Sequence, residues 1–138
     1  MGIKQISVFL ENTTGRICEV TRTLAQAGIS LRAINIADTA DFGILRVIVD
    51  KTDEAIKALT DGGFTTRQTD VAAVEIEDKP GSLDALLRLY EKSGINIEYL
   101  YASLEGMSGK AVVIFKPENP EKGFEILEKS GLKTVNRF

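Results

Sequence analysis

The sequence predicts an α+β protein built from two tandem copies of one small unit. Each copy is expected to be a ferredoxin-like βαββαβ fold, an antiparallel sheet with both helices on one face. Three observations lead there. The 138-residue chain repeats its own landmarks after a shift of 66 positions, from Gly15 to Gly81. Hydrophobic periodicity alternates between strand-like and helix-like in the same order in each copy. Glycines punctuate both copies at matching places, Gly15 with Gly81, Gly28 with Gly94 and Gly43 with Gly109.

The match extends between the glycines. Gly15-Arg16-Ile17 falls on Gly81-Ser82-Leu83, and Gly28-Ile29-Ser30-Leu31 on Gly94-Ile95-Asn96-Ile97. Val47-Ile48-Val49 falls on Val113-Ile114-Phe115. After a two-residue insertion around Pro117–Pro120, Ile56, Leu59 and Gly63 match Phe124, Leu127 and Gly131. The join falls near Thr69–Val71, which gives units 1–69 and 70–138. No Pro/Ser-rich linker separates them, so close packing is expected.

In unit one, Ile6, Val8 and Leu10 alternate as a strand does. Ile17, Val20, Leu24 and Ala27 recur at helical steps, and Gly28 ends that helix. Leu31–Asp38 and Ile44–Val49 read as strands, with Asp41-Phe42-Gly43 turning between them. Thr52 reads as the cap of the next helix, with Asp53 and Glu54 at its positive end. Gly62-Gly63 stops it, and Phe64–Asp70 reads as a short last strand.

Unit two repeats the pattern. Leu83, Leu86, Leu87 and Tyr90 make a helix stripe closed by Gly94. Asn119-Pro120-Glu121 is a helix start, and Phe124 and Leu127 face its core. Gly131 stops this helix, and Gly106–Gly109 reads as a hairpin turn. The central strands are apolar on both faces, as in Ala111–Phe115. A sheet open to water on one side should alternate. A unit of ~66 residues also buries only roughly 60% of its unfolded surface. The bare sheet faces or edges are therefore expected to be covered, by the sister unit or by a second chain.

Composition narrows the function. There is no histidine, which removes His-based triads, His metal cages and imidazole bases. The one cysteine, Cys18, excludes an internal disulfide or a Cys-x-x-Cys site. It suits a reducing cytoplasm, and reads as a packing residue rather than a nucleophile. A net charge of −3 argues against binding nucleic acid. No apolar run is long enough to span a membrane, and no leader pattern opens the chain. No cofactor or metal is expected.

The stretch Glu77-Asp78-Lys79-Pro80-Gly81-Ser82-Leu83, then Ser93-Gly94-Ile95-Asn96-Ile97, resembles the ACT domain, a small regulatory module of amino-acid-metabolising enzymes. Unit one matches more weakly. Glu11-Asn12-Thr13-Thr14-Gly15-Arg16-Ile17 lacks the proline, and Ser30 replaces the asparagine. Ile6–Asn12 also resembles the first ACT unit of acetolactate synthase regulatory subunits. The resemblance covers essentially the whole chain. It implies allosteric binding of small ligands, usually amino acids, at interfaces between ACT units.

The candidate binding set is then Asn12, Thr13, Thr14, Gly15, Ser30 and Leu31 in unit one, and Asp78, Pro80, Gly81, Ser82, Asn96 and Ile97 in unit two. The chemistry suits a zwitterion. Backbone N–H groups at a helix start favour a carboxylate. Side-chain oxygens of Asn12, Asp78 and Asn96 suit an ammonium group. The plainer readings are helix caps for Asn12 and Asp78, turn geometry for Gly15 and Gly81, and sheet packing for Tyr99 and Tyr101.

The sequence therefore points to a non-catalytic regulatory protein, expected as a homodimer. Its output passes to a separate partner, such as an amino-acid-metabolising enzyme, or lies in sensing itself. Two alternatives share the fold: an RNA-binding module, and a structural dimerisation protein with a vestigial pocket. Ile44–Val49 carries no aromatic residue to stack bases, which disfavours the first. Acylphosphatase-like catalysis needs an Arg-bearing phosphate loop, and only Arg16 is present.

Overall fold

The computed structural model describes residues 2–104 and 108–136. Their elements run β1 (Ile3–Glu11), α1 (Arg16–Gln26), β2 (Leu31–Asp38), β3 (Phe42–Val49), α2 (Thr52–Asp61), β4 (Thr65–Glu77), α3 (Ser82–Lys92), β5 (Ile97–Leu104), β6 (Lys110–Pro117) and α4 (Pro120–Ser130). All observed strand pairs are antiparallel. This is the α+β order that the repeat predicts. Internal contacts divide the chain into two compact units. One is Lys4–Thr69, and the other begins at Asp70 and takes in the first few residues.

In the first unit β3 lies between β1 and β2, with Ile6 opposite Val47 and Ile36 opposite Leu45. Ile6, Val8, Leu10, Leu45, Val47 and Val49 pack with Val20 and Leu24 of α1 and with Ala55 and Leu59 of α2. Burial of such aliphatic side chains stabilises by about 1.5–3 kcal/mol each. In the second unit β6 lies between β4 and β5. Its core adds an aromatic lock. Tyr90 meets Phe115 edge-on at 5.2 Å, and its hydroxyl donates to the Gly123 carbonyl at 2.8 Å. Burial pushes the Tyr90 phenol well above its ordinary pKa.

Helix ends follow the glycine punctuation. Gly28 has φ +70, and the next N–H, of Ile29, donates to the Leu24 carbonyl at 3.0 Å. Gly94 and Ile95 close α3 the same way onto Tyr90. This is the left-handed close in which glycine carries no Cβ penalty. Asn119 caps α4, its side chain accepting from the Lys122 N–H at 3.2 Å, with Pro120 in the first turn.

Four local expectations are corrected. Thr52 is the first residue of α2, not its cap; the Lys51 carbonyl already accepts the Ala55 N–H. The β2–β3 turn closes earlier, where Thr39 N–H meets the Phe42 carbonyl at 2.7 Å, so β3 starts at Phe42. The strand at the join does not stop at Asp70. β4 runs thirteen residues to Glu77, because no turn residue interrupts Thr65–Glu77. Ile17 and Leu83, at the first apolar position of each stripe, are 44% and 38% exposed.

The predicted turn at 106–109 lies partly outside the described residues. Unit two's closing strand is reduced to a bridge between Thr134 and Val74. On the sheet side away from the helices, Gln5, Ser7, Ile48, Val112 and Ile114 are buried in the single chain. Among the described residues, no helix is long and apolar enough to cross a membrane.

Candidate functional site

The loop from β1 to α1 carries Asn12, Thr13, Thr14 and Gly15, all exposed. Gly15 sits at φ 88, ψ −10, and its carbonyl accepts the first helical N–H, from Glu19, at 3.0 Å. The β4–α3 loop repeats this at Gly81, with φ 90, ψ −14, and Ala85 as donor. Neither helix start has a side-chain cap. First-turn N–H groups such as those of Ile17 and Leu83 therefore have no intrahelical acceptor. A Cβ at Gly15 or Gly81 would meet nothing within 4 Å, so backbone conformation, not crowding, demands glycine there.

Asn12 and Asp78 do not cap the helices. Asn12 instead ties its loop to the β2–β3 turn: its backbone N–H donates to Asp41 at 2.9 Å and its side-chain amide to Thr39 at 3.4 Å. Asp78 N–H donates to Gly109 at 2.9 Å, the equivalent bond in unit two, because β6 pairs two residues out of step with the 66-residue repeat that sets Gly109 on Gly43. Arg16 follows Gly15 but turns away, its guanidinium 2.5 Å from Glu19 and over the Phe64 ring at 5.0 Å.

The other candidates lie elsewhere. Ser30 exchanges backbone contacts with Asp50, donating to its carboxylate at 2.9 Å. Asn96 accepts from Glu118 N–H at 2.8 Å. Asp50 and Glu118 follow the ends of β3 and β6, whereas Asp41 and Gly109 precede their starts. Eight strand residues at ~3.3 Å each span about 25 Å. Within one unit, then, the loop half of the set (Asn12–Gly15, or Asp78 and Pro80–Ser82) and the strand half (Ser30 and Leu31, or Asn96 and Ile97) sit at opposite ends of the sheet.

In unit two the strand half borders an open, mostly apolar groove of about 390 Å³ between α3 and β5. Leu87, Glu91, Tyr99 and Leu100 line it beside Asn96 and Ile97. Sequence reasoning missed these four. The available signal is that Tyr99 adjoins the Asn96-Ile97 motif on an edge strand. Tyr101 is buried in the sheet as expected, but Tyr99 borders this groove. Cys18 is exposed rather than packed, since it lies between Ile17 and the buried stripe of Val20 and Leu24.

The model of the ACT domain pair family matches residues 1–137. The chain belongs to that family. Among solved structures, this ACT domain pair is similar to protein BT0572 from Bacteroides thetaiotaomicron, at 41% identity and TM-score 0.92, covering 98% of this chain and 92% of that one. The regulatory subunit of aspartate kinase from Thermus thermophilus shares the fold at 21% identity and TM-score 0.67, covering 93% and 92%. Its Thermus flavus counterpart does so at 21% and 0.64, covering 91% and 90%. No curated protein matches the chain.

Proposed function

We propose that this ACT domain pair is a non-catalytic regulatory protein. It binds a small ligand of the amino-acid class where ACT units associate, and signals through a change in that interface or in partner contacts. The observation that carries this reading is the twice-built turn. Gly15 and Gly81 hold the same left-handed geometry and each opens an uncapped helix start. Such a start offers N–H donors to a carboxylate. The neighbouring Asn12 and Asp78 side chains offer oxygens to an ammonium group.

In this reading the protein is a cytoplasmic homodimer. Its output passes to a separate amino-acid-metabolising enzyme or lies in sensing itself. The split between loop and strand halves within a unit supports a site completed by a second ACT unit. Two Thermus proteins with this fold are named as regulatory subunits of aspartate kinase.

Thermal unfolding against the twenty amino acids tests the proposal. A ligand at ~100 times its dissociation constant adds about 2.7 kcal/mol. The expected result is a shift with one or two amino acids that is lost in Asn12→Ala or Asp78→Ala. No shift at millimolar concentrations leaves a dimerisation protein without a working pocket.

A further inference from the structure

Given the amino-acid ligand proposed above, on which this rests, we infer that the groove between α3 and β5 takes the ligand's side chain, and that this side chain is large and apolar. Leucine, isoleucine and phenylalanine are of that class.

The backbone opens the groove. β5 sets two residues against one of β6, since Ile97 lies opposite Pro117 and Tyr99 opposite Lys116. Such a bulge re-aims the side chains beside it. Ile97 and Leu100 would fall on opposite faces of a regular strand. Here both reach the helix side, opposite Pro117 and Phe115, and Tyr99 between them borders the same groove. β2 makes the same slip between Leu31 and Ala33. The two units share this backbone but not the residues on it. The 66-residue shift sets Leu87 on Thr21, Glu91 on Ala25, Asn96 on Ser30 and Tyr99 on Ala33. At each of these lining positions the second unit carries the larger side chain. Thr21 and Ala33 make a short, partly polar wall; Leu87 and Tyr99 make a deep and largely apolar one. Leu100 adds a side chain that is 38% exposed. At about 390 Å³ the groove lies at the small end of small-molecule sites.

The charges narrow the occupant. Among the described residues, none that lines the groove is a lysine or an arginine. Its one charged residue is Glu91, in the last turn of α3, where the helix presents its negative end. Lys116, opposite Tyr99, is held by Glu98 at 3.0 Å. An acidic side chain is repelled there. A cationic one gains an exposed pair with Glu91, which is worth little in water. A branched or aromatic one removes its own surface and that of Leu87, Tyr99 and Leu100 from water, and that gain grows with area. Glu91 and Asn96 offer oxygens to the ligand's ammonium group. Its carboxylate is left to an uncapped helix start of an associating unit.

Isothermal titration of the full-length protein tests this with L-leucine, L-isoleucine and L-phenylalanine, against L-alanine, L-threonine, L-lysine and L-aspartate. One or more of the first three should bind about tenfold more tightly than any of the other four. Leu87→Thr and Tyr99→Ala install the first unit's residues, and each should weaken that binding about tenfold. Thr21→Leu, at the matching place in the first unit, should leave it unchanged. Preferred binding of L-alanine, L-threonine, L-lysine or L-aspartate overturns the apolar class and leaves the regulatory reading standing. Apolar binding that neither Leu87→Thr nor Tyr99→Ala weakens overturns the groove. Absence of binding by all twenty amino acids overturns this inference together with the ligand reading.

Discussion

The turn before α1 and the turn before α3 have almost the same backbone, within 2° in φ and 4° in ψ. Their surroundings differ. The first unit has a core that is aliphatic except for Phe64, and an edge strand with two exposed isoleucines. The second has a Tyr90–Phe115 contact, a crowded Gly123 and a groove beside its edge strand. The contrast separates two kinds of constraint. The left-handed turn tolerates little variation because only glycine adopts it cheaply. Edges and cores tolerate more, provided volume and pattern are kept.

The largest difference should appear at Gly123. A Cβ there would lie 2.4 Å from Pro117 Cγ, and the Gly123 carbonyl accepts the Tyr90 hydroxyl. The repeat places buried Ala55 at the same position in the first unit. Gly123→Ala should cost about 1–3 kcal/mol by overpacking, read from urea unfolding. Ala55→Gly should cost about 1–2 kcal/mol, from backbone entropy together with the loss of a buried methyl. A neutral Gly123→Ala would mean that the α4–β6 contact yields, and that the cores differ less than their geometry implies.

The turns come next. Gly15→Ala and Gly81→Ala should each cost about 1–2 kcal/mol, the penalty of a left-handed residue with a Cβ. The costs should be equal, since neither site has a steric neighbour within 4 Å. Unequal midpoints in parallel thermal melts would break the equivalence of the two turns. Helix starts should show a smaller asymmetry. Asn119→Ala should lose about 1 kcal/mol because α4 has a side-chain cap. Lys51→Ser should instead gain stability, because α2 has none.

Much of this contrast is legible in the sequence, and the limits have physical causes. The glycine spacing exposes the repeat because left-handed helix ends leave glycine little competition. The Asn119-Pro120 start is equally readable, because cap and proline act within one turn. β4 is not: Phe64–Asp70 reads as ending at a unit boundary, whereas nothing in Thr65–Glu77 breaks a strand. The candidate set is readable only in part. Asn12 and Ser30 are identifiable as polar residues at matching motifs, but their opposite placement depends on strand register. Likewise, the exposure of Ile34 and Ile36 depends on β2 lying at the edge of the sheet, and a list of residues does not carry that.

The smallest effect distinguishes the two loops by pH. Glu77, just before the second turn, pairs with Lys110. In the first unit the matching position opposite Glu11 is Phe42, so this pair exists in one loop only. Hydrogen bonding to Lys110, then its charge, holds the Glu77 carboxyl below its ordinary pKa of 4.5. A lowered folded-state value means that the unfolded chain takes up the proton more readily. The contribution is therefore complete above the ordinary carboxylate value, and is lost as pH falls through the lower folded value. Both partners are exposed, so salt should weaken it. Glu77→Gln should lower the melting temperature slightly at pH 7 and low salt, and the gap to the parent should close below about pH 4. A gap that persists in acid would assign the loss to side-chain packing at the β4 end, and leave the two loops electrostatically alike.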